Sequence, residues 1–514
     1  MADDQATAKA TATKPEAVTA QPAGNDAAPA TGAKKREIRT DLCVIGAGSG
    51  GLSVAAIAAS FGVPVVLIER GAMGGDCLNA GCVPSKSLIA AGERAHAMRE
   101  AAAFGITAQE PQVDYTALRD HIREVIAGIA PTDSQERFEA MGVTVLRESA
   151  RFTGRDTVEA GNAVIRARRF VIATGARPAI PPIPGLAETP YHTNETIFDL
   201  TERPGHLIVI GGGPIGLELA QAHARLGARV SVVEAQDILA REDRELAEVV
   251  EAQLRREGVG FHPNAKVTAV SGEDGAVRIT LAGDGDGGEH VLEGTHLLVA
   301  TGRKPVLDDL GLDEAGIRHD PSGISVDQGL RTSNRRVYAI GDCAGGATGG
   351  YRFTHAANQH AGLVIRSALF RLRVKLDNAI IPRVTYTDPE LAAVGLSEEE
   401  ARKAHKGRIR VLRFPVAEND RARAERREAG HVKVITNHKG LVLGAGIAAP
   451  QAGELIALWT LAVTKRMKVQ DIAGVVMAYP TLSEISKRAA VEFLKPAARM
   501  PSVRRLIRFL RVFG

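Results

Sequence analysis

The sequence predicts an α/β chain: two doubly wound parallel-sheet domains and a C-terminal α+β domain. Three observations carry this reading. Strand-like apolar runs at Leu42–Ile45, Phe170–Ala173, Leu207–Ile210, Arg229–Val233, Leu297–Ala300 and Val337–Ile340 alternate with stretches rich in Ala, Leu, Glu and Arg, the pattern of parallel sheets covered by helices. After about Asn378 the alternation gives way to a mixed pattern, with strands expected at Arg383–Tyr386, Ile409–Pro415, Val432–Thr436 and Leu441–Ile447. A chain of 514 residues also has room, at roughly 150 per domain, for three or so domains with sizeable cores.

Composition narrows the functional classes. With 45% hydrophobic and 24% charged residues, the chain is an ordinary globular one, neither fibrous nor wholly disordered. Lys and Arg total 64 against 60 Asp and Glu, and the resulting +4 is too slight to point to a nucleic acid. Four cysteines (Cys43, Cys77, Cys82, Cys343) make no disulfide framework and fit a reducing compartment. Residues 1–36 hold almost no large apolar side chain and read as a disordered tail. They lack the apolar stretch of a secretory signal, and Asp3, Asp4, Glu16 and Asp26 precede the first arginine, unlike a mitochondrial presequence, so a cytoplasmic protein is expected. The segment Gly283–Gly288 reads as an exposed hairpin tip.

From Leu42 to Ile68 no residue is charged, a run long enough to cross a membrane. Five glycines and Pro64 argue against that, dividing it into strand, turn, Ala-rich helix and a second strand at Val63–Ile68. The turn is Gly46-x-Gly48-x-x-Gly51, with Glu69 at the end of the next strand. In this pattern the first glycine makes the turn, the second lets backbone approach a pyrophosphate, and the third lets the helix pack closely. The helix N-terminus offers unpaired N–H groups to phosphate, and Glu69 would accept from a ribose hydroxyl. The arrangement repeats at Gly211-x-Gly213-x-x-Gly216 with Glu234. The two units therefore read as Rossmann-type dinucleotide sites. A carboxylate at Glu234 would bond a 2′-hydroxyl and repel a 2′-phosphate, which favours NAD(H) over NADP(H).

The segment Gly74-Gly75-Asp76-Cys77-Leu78-Asn79-Ala80-Gly81-Cys82-Val83-Pro84-Ser85-Lys86 carries the most chemistry. In a regular helix residues five apart are roughly 8.7 Å apart, beyond the roughly 7 Å limit for a disulfide. A Cys77–Cys82 bridge thus needs irregular backbone. Gly81 permits it, and Pro84 places Cys82 at or just before a helix start, where a thiolate is favoured. Redox use is the leading reading, beside two buried thiols or half a zinc site whose further ligands no motif supplies; no metal site is expected.

These residues resemble the FAD-dependent pyridine nucleotide–disulfide oxidoreductases, over about Asp41 to Val491. The Cys77-to-Lys86 motif, Thr387-Asp388-Pro389-Glu390 and Val394-Gly395-Leu396 resemble the dihydrolipoamide dehydrogenase and mercuric reductase branch. The resemblance implies this division: residues 37–180 and 305–378 binding FAD, 181–304 binding NAD(H), 379–495 a dimerisation domain, and 496–514 a basic amphipathic tail. It implies a homodimer in which the last domain of one subunit completes the other's site.

Residue by residue, the first fingerprint would hold FAD together with Gly75, and Thr332 to Asp342 resembles a second FAD motif containing Gly341 and Asp342. Ala173-Thr174-Gly175 and Ala300-Thr301-Gly302 resemble the crossovers between the two nucleotide modules. Lys86 and Glu218 would form an ion pair beside flavin N5; an ordinary surface Lys and interior Glu is the alternative. Cys82 would be the thiolate against the flavin and Cys77 the sulfur that meets a small-molecule or thiol/disulfide substrate.

The pattern breaks in the last domain. Disulfide-reducing relatives carry His-Pro-Thr-x-x-Glu, whereas this chain has Tyr479-Pro480-Thr481-Leu482-Ser483-Glu484. A phenol of pKa about 10 is a poor base near pH 7. The chain also lacks the cysteine pair that mercuric reductases carry near their C-terminus, since none follows Cys343. The expected function is electron transfer from NADH through FAD and Cys77–Cys82 to an acceptor, as in mercuric reductase. Alternatives are dihydrolipoamide dehydrogenase and a flavoprotein redox sensor or membrane-docked electron-transfer partner. Arg504, Arg505, Arg508 and Arg511 alternate with apolar residues at helical spacing, which suits either packing on the chain's own surface or weak peripheral membrane contact.

Overall fold

The computed structural model describes residues 35–282, 289–498 and 500–513. Of the tail expected at residues 1–36, residues 1–34 lie outside the described residues, as does the hairpin tip at Gly283–Gly288. Arg36, assigned to the tail from composition, instead opens the strand Arg36–Ile45 and pairs with Ala163. Backbone pairing with Ala163–Ile172 carries this strand six residues beyond its apolar part; ladder hydrogen bonds do not depend on which side chain is attached.

The first sheet places Thr144–Leu146, Val65–Ile68, Arg36–Ile45 and Ala163–Ile172 side by side in parallel, and Val337–Ala339 joins the last of these. Leu42 to Ile45 and Val65 to Ile68 are buried on both faces, which is why they read as unbroken apolar runs rather than alternating ones. The uncharged run Leu42–Ile68 is therefore a strand, the helix Ser49–Ser60 and a second strand. Among the described residues no helix is long and apolar enough to cross a membrane.

The second domain aligns Gly260–His262, Arg229–Val233, His206–Ile210 and His296–Val299, again in parallel. Side chains alternate between its faces. Leu207, Val209, Val230 and Val232 pack with Leu217 and Leu246 of the helices Pro214–Arg225 and Arg244–Arg256. Ile208, Ile210, Val233 and Val299 meet Val270, Val277 and Ile279 of an antiparallel meander, so this face is covered by strands rather than helices. The chain enters and leaves the domain through Ala176–Pro178 and Arg303–Pro305, which pair antiparallel. It then returns to the first domain, where the helix Thr354–Ala368 packs on Ser49–Ser60.

The last domain is a five-stranded antiparallel sheet, from Arg383–Thr385 through Glu390–Gly395, Val442–Ala449 and His431–Asn437 to Ile409–Pro415. It is tied to the second domain by a buried ionic cluster: Arg225 bonds Glu257 at 2.7 Å and Asp388 at 3.0 Å, and Arg427 bonds Asp388 at 2.6 Å. Removing one partner of such a cluster strands a buried charge, so Arg225→Met is expected to destabilise the fold by about 3–5 kcal/mol. Urea unfolding followed by the fluorescence of Trp459, fully buried in the last domain, measures this; an unchanged midpoint contradicts it.

Candidate active site

The first glycine turn behaves as its spacing requires. Gly46 adopts φ +103°, and a Cβ on Gly51 would lie 1.8 Å from the Gly46 carbonyl oxygen, so only glycine lets the helix start so close to the turn. Gly48 caps that helix. A Cβ on Gly75 would come within 2.7 Å of Gly48 Cα, so the two glycine segments are pressed together. This contact seats the short helix Gly75–Asn79, carrying Cys77, against the first fingerprint.

Cys82 follows two residues beyond that short helix, as the first residue of Cys82–Glu100, with Gly81 as its cap and Pro84 in the first turn. The break between the helices is the irregularity that the cysteine spacing demanded. The thiols of Cys77 and Cys82 are unbridged, and each shifts the other's titration. The neighbouring Cys77 holds the Cys82 thiol down at about 6; Thr354 and the charge of Lys86 add to this, against the opposing effect of burial. Cys82 in turn, with burial, raises Cys77. Thr354 Oγ1 stands 3.7 Å from Cys82 Sγ. Both directions favour the negative charge on Cys82 and the proton on Cys77. Cys43 and Cys343 are fully buried, which pushes both thiols up and leaves them unreactive.

One turn along the same helix, Lys86 Nζ bonds Glu218 Oε2 at 2.8 Å and sits 4.1 Å from the centre of the Tyr386 ring. Glu218 is buried and accepts from the Tyr386 N–H at 2.9 Å through its other oxygen. The pair is therefore neither a surface Lys nor an idle interior Glu: each domain contributes one member of a Lys–Glu–Tyr group.

These side chains line a cleft of about 860 Å³, together with Gly46, Gly48, Glu69, Gly75, Thr174, Gly175, Gly302, Gly341 and Asp342. Gly51 sits beneath the turn instead. The glycines of the second fingerprint make a turn of the same build, whose Pro214 and Ile215 also line this cleft. A Cβ on Gly216 would lie 2.0 Å from the Gly211 carbonyl oxygen, whereas one on Gly213 would meet nothing within 4 Å. Glu69 accepts from the N–H groups of Ala47 (2.6 Å) and Gly71 (2.7 Å), and Glu234 from those of Gly212 (2.7 Å) and Gln236 (2.9 Å). Each carboxylate is thereby fixed at the rim of its turn with lone pairs left for a ribose hydroxyl.

The family patterns match over two stretches: the pyridine nucleotide-disulphide oxidoreductase pattern over residues 40–361 and that family's dimerisation domain over residues 381–490. The chain belongs to this family. It is 36% identical to a mercuric reductase of Streptomyces lividans, covering 90% of this chain and 97% of the relative. It is equally 36% identical to a dihydrolipoyl dehydrogenase of Thermus scotoductus, covering 89% and 98%. Among solved structures it matches LpdA of Mycobacterium tuberculosis with a TM-score of 0.79 at 28% identity, covering 88% of this chain and 99% of that one. A Cu(II) complex of the HOCl-induced flavoprotein disulfide reductase RclA of Escherichia coli gives 0.77 at 28% identity, with the same coverage. The chain is thus an FAD-dependent, mercuric reductase-like flavoprotein disulfide reductase by family, carrying a dimerisation domain, and the family binds FAD and NAD(P)H.

The residues fit FAD. A Cβ on Gly48 would have its nearest neighbour 3.9 Å away, so a pyrophosphate has room at the helix N-terminus. Asp342, on the turn after Val337–Ala339, faces the cleft beside Arg303, whose guanidinium stands 3.1 Å from Asp76 and 3.6 Å from Asp342. Burial raises Asp342, with Arg303 and Arg352 opposing. The buried Nε of Arg303 makes no hydrogen bond in the protein, with Asp342 Oδ2 3.6 Å from it. Bound in this cleft, FAD supplies a ring that takes a hydride from nicotinamide and passes an electron pair to a disulfide. Lys86 places a positive charge where negative charge would gather, Glu218 holds that ammonium, and the Cys82 sulfur presents the thiolate.

Sequence reasoning missed Arg303, Thr354, Tyr386 and Asp420. Arg303 directly follows Gly302, and a charged residue next to a crossover glycine was the available signal. Tyr479 donates to Asp420 Oδ2 at 2.9 Å, whereas the nearest basic group to Glu484 is Arg488 at 4.0 Å. Glu484 opens the helix Glu484–Val491 and is largely buried, while Asp420 is the group that accepts the phenol's hydrogen bond. That bond also raises the Tyr479 phenol further above its usual value. Within one chain Tyr479 is 67% exposed and Tyr479 and Glu484 stand apart from the cleft.

Proposed function

We propose that the chain oxidises NADH in preference to NADPH and delivers the electrons, through FAD and the Cys77–Cys82 pair, to a thiol-reactive acceptor that meets Cys77. The observation that carries this is the placement of the two cysteines in one cleft with Lys86: Cys82 opens the helix Cys82–Glu100 with Thr354 Oγ1 3.7 Å from its sulfur, and these neighbours lower Cys82 while Cys77 is raised. When the disulfide takes up an electron pair and one proton, the proton belongs on Cys77 and the negative charge on Cys82. Cys77 is then the sulfur free to exchange with an acceptor. Tyr479, hydrogen-bonded to Asp420, supports outward delivery over dihydrolipoamide oxidation, because a neutral phenol cannot take the dithiol's protons. We place the reaction in a cytoplasmic homodimer, with Tyr479 and its Asp420 brought to the partner's cysteines. The proposed site roles are Cys77, Cys82, Lys86, Glu218 and Tyr479, with Asp420 in place of Glu484.

The test is anaerobic reduction by NADH followed by a panel of disulfides, quinones and Hg(II). A disulfide or soft-metal acceptor that reoxidises wild type but not Cys77→Ser supports the reading; reoxidation only by acceptors indifferent to that change overturns it. Nucleotide choice is tested at Glu234. Wild type is expected to favour NADH over NADPH in kcat/KM by on the order of tenfold or more, and Glu234→Ala to narrow the ratio. Equal use of both by wild type contradicts the assignment.

A further inference from the structure

The helix Pro501–Leu510 buries none of its residues. Leu506, Ile507, Phe509 and Leu510 are 52–60% exposed, although apolar side chains at helical spacing ordinarily pack on their own protein. At about 100° per residue, Val503, Leu506, Ile507, Phe509 and Leu510 fall within an arc of roughly 160°, and Arg504, Arg505, Arg508 and Arg511 fall in the opposite roughly 120°. From Phe493 to Gly514 the sequence holds six Lys or Arg and no Asp or Glu.

The charge decides what covers this face. Two copies of the helix laid together would bring like charges close with no carboxylate on either to balance them. An anionic bilayer meets both halves of the surface at once. The apolar arc enters the acyl boundary, and the long arginine stems reach back from its margins to phosphates. Each basic residue near such a surface adds about 1 kcal/mol of attraction.

We propose that Pro501–Leu510 docks the protein on an anionic lipid bilayer as an interfacial helix lying in the membrane plane. Within one chain no residue of this helix lines the cleft that holds Cys77, Lys86, Glu218 and Tyr386. In a homodimer the two helices act together, so the second binds from an already tethered state.

The experiment is vesicle co-sedimentation of the FAD-loaded full chain. Vesicles of phosphatidylcholine with about a third phosphatidylglycerol are compared with phosphatidylcholine alone, at low and high salt. At least about tenfold more protein is expected on the anionic vesicles, with loss at high salt. Removing residues 501–514, or the double change Leu506→Glu with Phe509→Glu, is expected to abolish binding while solution activity and dimer mass stay unchanged. Three results overturn the proposal: no preference for anionic vesicles, binding that survives both variants, or dissociation of the dimer on truncation, which would assign the apolar face to a second copy of the chain.

Discussion

Changing Cys82 to serine is expected to lower NADH-driven reduction of a thiol-reactive acceptor by on the order of 10³-fold or more, while NADH still bleaches the bound flavin. The two steps separate because they use different parts of the cleft. FAD bound at the first glycine turn would accept the hydride without the cysteines, whereas delivery to the acceptor would need both sulfurs, Cys77 in its short helix and Cys82 at the start of Cys82–Glu100. A hydroxyl cannot form the disulfide, so the pathway stops there. The pH behaviour of the thiols gives a check that needs no turnover. In the anaerobically reduced protein, alkylation of Cys82 by iodoacetamide follows its thiolate fraction, so its rate should rise with pH through an inflection near 6 and be level by neutral pH. Cys77→Ala removes the neighbour that lowers Cys82 most, and the inflection should move up toward the ordinary thiol range of about 8.5. An inflection in the ordinary range in wild type, or one indifferent to Cys77→Ala, contradicts the assignment of charge to Cys82.

Tyr479→His is expected to raise dihydrolipoamide-dependent NAD reduction by on the order of 100-fold, the scale of a well-placed general base. Oxidising a dithiol requires a group that accepts protons near pH 7. The phenol of Tyr479 fails twice: its ordinary value is about 10, and its hydrogen bond to Asp420 pushes it higher still. An imidazole there would titrate near 6.5 and find in Asp420 the carboxylate that fixes its orientation. Tyr479→Phe separates this from packing, since it keeps the ring and loses the hydroxyl, and should leave the already low dihydrolipoamide rate where it is. A histidine variant that forms the homodimer and binds FAD yet shows no gain contradicts the account of Tyr479.

The residues that could be read from sequence are those whose requirement is local. A glycine at φ +103° whose carbonyl oxygen would lie 1.8 Å from any Cβ on Gly51 leaves its signature within six residues, from Gly46 to Gly51. Cys77, Cys82 and Pro84 likewise fix a helix break and a helix start among themselves. The strands of the parallel sheets were legible because burial on both faces makes them apolar throughout. What escaped is long-range. Arg303 meets Asp76 and Asp342 only because two crossovers pair beside the cleft, and Asp420 meets Tyr479 across 59 positions. Such partnerships follow from packing and leave no period in the sequence. The same holds for the meander on the second sheet, whose strands look like any exposed hairpin until Val270, Val277 and Ile279 are seen to cover Ile208 and Ile210.

In the proposed function Cys77 and Cys82 form the relay between the nucleotide and the acceptor. Its most direct test is anaerobic titration of the FAD-loaded, air-oxidised homodimer with a single equivalent of NADH, quenched with an alkylating reagent and mapped by mass spectrometry. The account predicts that Cys77 and Cys82 become alkylatable together, while Cys43 and Cys343 stay protected. It also predicts a long-wavelength absorbance in the reduced wild type that Cys82→Ser lacks. Flavin that is reduced without any change in the accessibility of Cys77 and Cys82, and without that absorbance, would contradict it.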